Sequence, residues 1–262
     1  MGRVHLATLL YGDYPDLARH VLTGILFKGY PVIVGFNEVS DRTLQVVSEL
    51  TGGDVGRAAS SFGETHYRVL CAHAQCHLPD GYHVALPDPQ SVTIVSAGNQ
   101  NILKYPMQRR MFSALPKDAG VIWLDDDVVF PAADPDKWLT LFTSALDDGF
   151  DYVGEPFFCQ AQGNQLKWAK SRAWWRNKMP ARSLAIPFFR GGVLGLSARF
   201  RSTLDWPDVD IGHNGGDVMS GLAAAQFPEL KWKSIRPRET GLTFFHPRRG
   251  VSEDPVGKYF SP

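Results

Sequence analysis

Gly120-Val121-Ile122-Trp123-Leu124-Asp125-Asp126-Asp127-Val128-Val129-Phe130 is the stretch on which the reading of this chain turns. Four apolar residues with a β-branched start predict a buried strand, and the three aspartates then fall at or just past its carboxyl end. In an open α/β sheet, ligands bind beyond that end of the strands. Three adjacent carboxylates repel one another, and burying each costs roughly several kcal/mol unless a positive charge sits among them. Oxygen ligands so grouped suit a hard divalent cation, Mg²⁺ or Mn²⁺. The alternative is that they cap a helix, but Val128, Val129, Phe130 and Pro131 follow and do not start one.

Upstream, Val4 to Leu10 reads as an apolar strand running into Tyr11-Gly12-Asp13. Leu17, Val21, Leu22, Ile25 and Leu26 then recur at helical spacing, with Pro15 in the first turn and Gly29 as the close. Pro31 to Phe36 is a second buried strand ending at Asn37-Glu38, and Asp41 caps a helix that Gly52-Gly53 stops. Strand and helix in alternation predict a mostly parallel sheet with helices on its faces. Thr51 to Asp88 is poorly patterned, apart from a strand at Tyr67–Leu70. Val92–Ser96 is the next strand, and Met107, Met111, Ala114 and Leu115 form an apolar helix face before the aspartate strand. Beyond it come a helix opened by Asp134-Pro135, a short strand at Tyr152–Gly154, a strand at Val193–Ser197, a helix at Asp217–Ala225 and a last strand at Leu242–Phe245.

A chain of 262 residues, 44% hydrophobic and 12% aromatic, can bury a core of useful size. Lys+Arg and Asp+Glu both number 27, so whole-chain charge does not select a polyanionic partner. Its distribution is more informative. No acid occurs between Glu155 and Asp205, while Lys167, Lys170, Arg172, Arg176, Lys178, Arg182, Arg190, Arg199 and Arg201 all do. Trp168, Trp174 and Trp175 lie among them, a mixture that grips a phosphate backbone and stacks on bases, or serves as a solvated face with tryptophans in the core. The amino terminus enters a strand pattern without the apolar stretch of about 7 to 15 residues that a secretory signal needs. No window reaches the roughly 18 apolar residues of a membrane span. Three cysteines suit a reducing compartment, so the expected location is cytoplasmic. Cys71, His73, Cys76 and His77 are spaced too tightly for the usual tetrahedral zinc pairs and are read as an irregular loop.

Arranged in this way, the chain resembles the GT-A fold of nucleotide-sugar-dependent glycosyltransferases, and five stations in the family's order carry the resemblance. They are the strand and helix around Thr8 and Tyr11; the Leu124-Asp125-Asp126-Asp127 run, similar to the DxD signature; Pro187-Phe188-Phe189-Arg190-Gly191-Gly192, similar to the Gly-Gly turn of fringe-like members; Gly215-Gly216-Asp217-Val218; and Phe244-Phe245-His246. The resemblance implies a Rossmann-like α/β fold: a mixed, mostly parallel sheet flanked by helices. It implies a single domain over residues 1–262, with a nucleotide-binding part at about 1–130 and an acceptor part at about 131–262. It further implies metal-dependent, inverting transfer of a sugar from a nucleoside-diphosphate sugar, a UDP-sugar first, to a hydroxyl.

Residue by residue, Asp125, Asp127 and His246 would hold the cation, and Asp125 and Asp126 would also face the donor. Thr8 and Tyr11 would lie at the nucleotide base, Gly191 and Gly192 beside donor sugar and acceptor, and Asp217 would be the base that deprotonates the acceptor. Asn37, at the end of the second strand, contacts base or ribose, or is a turn residue. Lys104 and Arg109 contact phosphate, or belong with Arg110 to a solvated helix face. His246 is otherwise an ordinary packed histidine, and Asp217 otherwise a helix cap. Phage enzymes that glycosylate hydroxymethylated bases in DNA resemble this chain, which makes a hydroxymethyl-pyrimidine in DNA the leading acceptor, reached through the basic, aromatic stretch 167–201 after base flipping. Saccharide and protein hydroxyls come next. Two other classes use similar features: a nucleotidyltransferase or phosphatase built on the same carboxylates, and a nucleic-acid-binding module. A haloacid-dehalogenase-type phosphatase would place a Thr after its nucleophilic Asp region, where Val128 stands.

Overall fold

The computed structural model describes residues 3–52, 66–70, 75–77, 83–85, 91–98, 100–156, 187–204, 206–207, 211 and 216–244. In chain order the elements are β1 (His5–Gly12), α1 (Pro15–Ile25), β2 (Val32–Val39), α2 (Asp41–Thr51), β3 (His66–Leu70), β4 (Gln75–His77), β5 (His83–Ala85), β6 (Ser91–Ser96) and α3 (Lys104–Ser113). There follow β7 (Val121–Asp125), β8 (Val128–Val129), α4 (Lys137–Asp147), β9 (Tyr152–Pro156), β10 (Phe189–Leu196), α5 (Ala198–Leu204), α6 (Gly216–Gln226), β11 (Trp232–Ser234), α7 (Pro237–Thr240) and β12 (Thr243–Phe244). Among the described residues no helix is long and apolar enough to cross a membrane.

Two compact units result. The β1 unit comprises His5–Asn101, Leu124–Pro135 and Leu242–Pro262; the β9 unit comprises Met1–Val4, Ile102–Trp123 and Asp136–Gly241. Strand β7 contributes its first three residues to the β9 unit and its last two to the β1 unit.

In the β1 unit the strand order is β1-β2-β6-β3, with β1–β2 and β2–β6 parallel and β3 antiparallel to β6. Leu6, Leu9 and Leu10 of β1 and Val32, Ile33, Val34 and Phe36 of β2 are buried, as expected of strands covered on both faces. Helix α1 turns Leu17, Ala18, Val21, Leu22 and Ile25 inward. It stops at Ile25, short of Gly29, because Leu26 is already extended and Phe27 adopts φ 65°. Helix α2 is capped by Ser40, whose Oγ accepts from Thr43 N, and Asp41 is its first residue rather than its cap. Gly52, at φ 68°, closes it as its sequence suggests.

In the β9 unit the order is β11-β9-β10-β7, with β11 parallel and β10 antiparallel to β9. The sheet is thus mixed and mostly parallel, with helices alongside, as the strand and helix alternation predicts. Trp138, Phe142, Ala145 and Leu146 of α4 are buried, but the helix starts at Lys137 with Asp136 as cap, two residues beyond the Asp134-Pro135 start. The larger difference lies in β10, expected to begin at Val193 after a Gly-Gly turn. It begins at Phe189, so Arg190, Gly191 and Gly192 lie within the strand. Phe189 opposes Pro156 and Leu194 opposes Gly154, five steps along β10 against two along β9. The glycines therefore sit in a bulge. Phe189 anchors its near end, 1% exposed and 4.6 Å from the Tyr152 ring, in space left by Gly154, where a Cβ would come within 2.7 Å of it.

Candidate functional site

Burial fixes where the aspartates emerge. Val121, Ile122, Trp123 and Leu124 are each 0% exposed, and the strand turns polar only at its last residue, Asp125. Asp126 and Asp127 form the turn into β8 and remain buried. Strand β8 pairs antiparallel with β12, Val129 opposite Thr243 and Val128 opposite Phe244, so β12 advances along its partner toward the turn that holds Asp127. His246 lies outside the described residues, as do Cys71, His73 and residues 157–186 of the basic stretch.

Tyr11, at the end of β1, reports the field of these carboxylates. Burial, then the charges of Asp126, Asp127 and Asp125, push its phenol far above its ordinary 10.0, so it stays a protonated donor. Across the β1–β2 register it faces Asn37, which is buried and donates Nδ2 to Asn101 Oδ1 at 3.1 Å. The loop after Tyr11 is tied to α2: Ser40 N donates to the Gly12 carbonyl at 3.0 Å, and Ser40 Oγ to Asp13 Oδ1 at 2.6 Å. Thr8 lies deeper in β1, wholly buried, and its Oγ1 has no hydrogen-bond partner among the described residues. On the far side of the triplet, Phe130 N donates to His20 Nε2 at 3.4 Å, which requires that nitrogen unprotonated; burial lowers the imidazole pKa accordingly. The carboxylates supply the oxygen donors that a hard divalent cation takes. Among the described residues no group of three or more His, Cys, Asp or Glu is placed to hold a metal.

In the β9 unit, Asp217 stands in the first turn of α6, its Oδ1 accepting from Val218 N at 2.9 Å. Its backbone is fixed from below: Ser220 Oγ donates to the Asp217 carbonyl at 2.9 Å, which leaves Tyr152 Oη to donate to Ser220 Oγ at 2.6 Å. A Cβ built on Gly191 would stand 3.3 Å from Asp217 Cβ and 3.7 Å from Tyr105 Oη. The structure thus brings Gly191 and Asp217 together, and adds Tyr105, which sequence reasoning missed. A tyrosine on an amphipathic helix carries no mark that separates it from a core residue; the nearest clue is Gly216, whose missing side chain makes room for the Tyr105 ring.

Both cations read as phosphate contacts also meet groups of the protein. Lys104 Nζ lies over two aromatic faces, 5.6 Å from the Tyr105 centroid and 5.9 Å from that of Trp123. Arg109 Nη1 donates to the Pro207 carbonyl at 2.5 Å. Described cations of the basic stretch are likewise engaged by groups of the protein, although Arg199 stays half exposed. Arg199 pairs with Asp151, Arg201 donates to the carbonyls of Phe112, Pro116 and Ala119, and Arg190 Nη1 lies 3.8 Å from Glu155 Oε2. Glu155, a second residue without sequence signal, is 0% exposed and takes the Thr240 hydroxyl on Oε1.

No known family profile matches the sequence, and no curated protein matches it. Among solved structures, the chain is similar to the galactosyltransferase LgtC in complex with donor and acceptor sugar analogs, at 12% identity over 83% of this chain and 70% of that one, with a TM-score of 0.40. An active-site mutant of LgtC gives 10% identity, 98% and 94% coverage and a TM-score of 0.46. Mouse xyloside xylosyltransferase 1, in its apo form, gives 13%, 89% and 85%, and 0.43.

Proposed function

We propose that this chain is a metal-dependent glycosyltransferase that moves a sugar from a nucleoside-diphosphate sugar, a UDP-sugar first, to an acceptor hydroxyl. The observation that carries the reading is the placement of Asp125, Asp126 and Asp127 at the carboxyl end of a strand whose other four residues are wholly buried, with two of the three themselves buried near a phenol that burial, and then their charges, keep protonated. Carboxylates so concentrated are costly to keep charged without a cation. Asp125 and Asp127, with His246, would hold Mn²⁺ or Mg²⁺, which when bound neutralises charge gathering on the leaving diphosphate.

Asp217 would take the proton from the acceptor hydroxyl while that oxygen bonds to the anomeric carbon. The bond from the anomeric carbon to the diphosphate oxygen breaks, and a nucleoside diphosphate leaves with its electron pair. Attack opposite the leaving group inverts the anomeric centre. Gly191, beside Asp217, admits a substrate close to the carboxylate. DNA carrying hydroxymethyl-pyrimidine is the acceptor to test first, ahead of saccharide and protein hydroxyls. Because Arg199 and Arg201 are engaged within the protein, phosphate contact would fall to the basic residues between Lys167 and Arg182.

Incubation with Mn²⁺ and a panel of nucleotide sugars tests the reading. Slow metal-dependent release of the nucleoside diphosphate is expected from the wild type, with a loss of about 100-fold or more in Asp127→Ala. Undiminished turnover in that variant defeats the proposed role of the triplet.

A further inference from the structure

Three backbones meet around one tyrosine. Tyr105, in the first turn of α3, is 6% exposed, and its ring occupies the volume that a side chain at residue 216 would need: a Cβ on Gly216 would stand 2.1 Å from Cζ and 2.6 Å from Oη. Its hydroxyl is carried on toward β10, where a Cβ on Gly191 would be 3.7 Å from Tyr105 Oη and 3.7 Å from Asp217 Cγ. The phenol and the carboxyl therefore both border one small space over Gly191. Trp206 holds the ring from another direction, edge to face at a centroid distance of 6.3 Å, and the Lys104 ammonium lies over it.

Packing alone does not require this arrangement. Phenylalanine would fill the same volume beside Gly216 without bringing a hydroxyl to an aspartate. Asp217 already has one oxygen fixed by the Val218 amide, and a carboxylate that must present the other to a substrate gains from a second donor that sets its rotation. Tyr152 lies within the electrostatic reach of both groups.

We infer that Tyr105 is a positioning residue for Asp217, its hydroxyl donating across the space over Gly191 to orient the carboxylate that faces the substrate. The inference rests on the reading of Asp217 as the base. Groups bearing on that carboxylate are the Tyr105 phenol from α3, the Tyr152 phenol from β9 and the Val218 amide of α6 itself.

The test reads Asp217 directly, without substrate. In protein labelled at aspartate carboxyl carbons, with the Asp217 resonance assigned by its loss in Asp217→Asn, the carboxyl is titrated by NMR in the wild type and in Tyr105→Phe. Removing a donor to the charged form raises the midpoint, by about 0.5 pH units or more, a roughly threefold change in the ionisation constant. Tyr105→Met, a second hydroxyl-free side chain, should move it the same way and guards against a folding defect peculiar to one variant. Sugar transfer by Tyr105→Phe should lose kcat while the KM for donor holds. An Asp217 midpoint equal in wild type and both variants overturns the inference. If the wild type consumes no nucleotide sugar, the proposed function fails, and the titration still decides the link between these residues.

Discussion

Gly191 and Asp217 meet so closely that a single added carbon on the glycine would stand 3.3 Å from the aspartate Cβ. That separation is tighter than ordinary van der Waals contact, so one partner must yield by a few tenths of an ångström. Asp217 Cβ is placed by an α6 backbone tied to the Ser220 and Tyr152 hydroxyls, whereas β10 is bulged at this point, so the strand is the softer of the two. Gly191→Ala should therefore fold with an unchanged melting temperature yet lose about tenfold in transfer rate, because small misplacements of reacting groups are costly. A variant with full activity would show that transfer does not depend on the close approach at residue 191.

Gly24 and Phe130 form a comparable pair in the β1 unit. A Cβ on Gly24 would fall 2.1 Å from Phe130 Cε2, inside the ring's own volume. Phe130 is also held by His20, whose Nε2 accepts from its amide and whose ring packs 5.5 Å away. Gly24→Ala should cost roughly 1–3 kcal/mol through overpacking. Since Phe130 closes the segment that begins at Asp127, Mn²⁺ affinity should fall as well. Urea denaturation and a metal titration on the same sample check both halves, and an alanine variant as stable as wild type would mean that the ring has room to move.

How much of this was legible beforehand follows from what periodicity encodes. β1, α1, β2, α2 and β7 bury long continuous faces, and Leu6, Val21, Val34, Val47 and Trp123 announce them in the sequence. Short elements such as β8, α5, β11 and α7 present too few residues for a period to show. Ser40 and Asp41 are both good caps, and only the actual turn selects the serine. Arg190-Gly191-Gly192 reads as a turn because two glycines weaken a strand, whereas Phe189 packed against Tyr152 extends the strand through them. The carboxylate triplet was visible because its charges interrupt an apolar run. Tyr105 and Glu155 were not, because their importance comes from neighbours distant in sequence: Gly216 for one, Arg190 and Thr240 for the other.

The Tyr152–Ser220–Asp217 chain allows a cleaner energetic test than either glycine. Both hydroxyls are fully buried, so Ser220→Ala leaves the Tyr152 phenol as a donor without its acceptor. That should cost roughly 1–3 kcal/mol, whereas adding Tyr152→Phe to the same background should cost little more, since the stranded group has gone. The double-mutant cycle in urea is the measurement. Additive losses would mean that the two hydroxyls do not act as a unit.

Glu155 gives the fold a distinctive pH response. Burial raises its carboxyl above the ordinary 4.5, while the Thr240 hydroxyl and the Arg190 charge pull only partly the other way. The folded protein holds this proton more tightly than the unfolded chain does. Stability from Glu155 is therefore fullest below 4.5 and is lost as pH climbs through the raised folded value. Asp151 acts in the opposite sense. Burial would raise its pKa, but hydrogen bonds from Arg199, the Lys231 amide and Ser197 outweigh it and bring the carboxyl below 3.8, so its contribution is lost only in strong acid. Between pH 5 and pH 8 the Asp151 contribution is constant, and that of His20, whose imidazole burial lowers from 6.5, is common to the wild type and a Glu155 variant, so the difference between the two proteins reports Glu155. Glu155→Gln keeps an oxygen for Thr240 and removes the ionisation, so the wild type should lose stability relative to it as pH rises from 5 to 8. Urea melts of both proteins at the two pH values decide the matter: a wild-type advantage or deficit that is equal at pH 5 and pH 8 would mean that Glu155 does not titrate in this window.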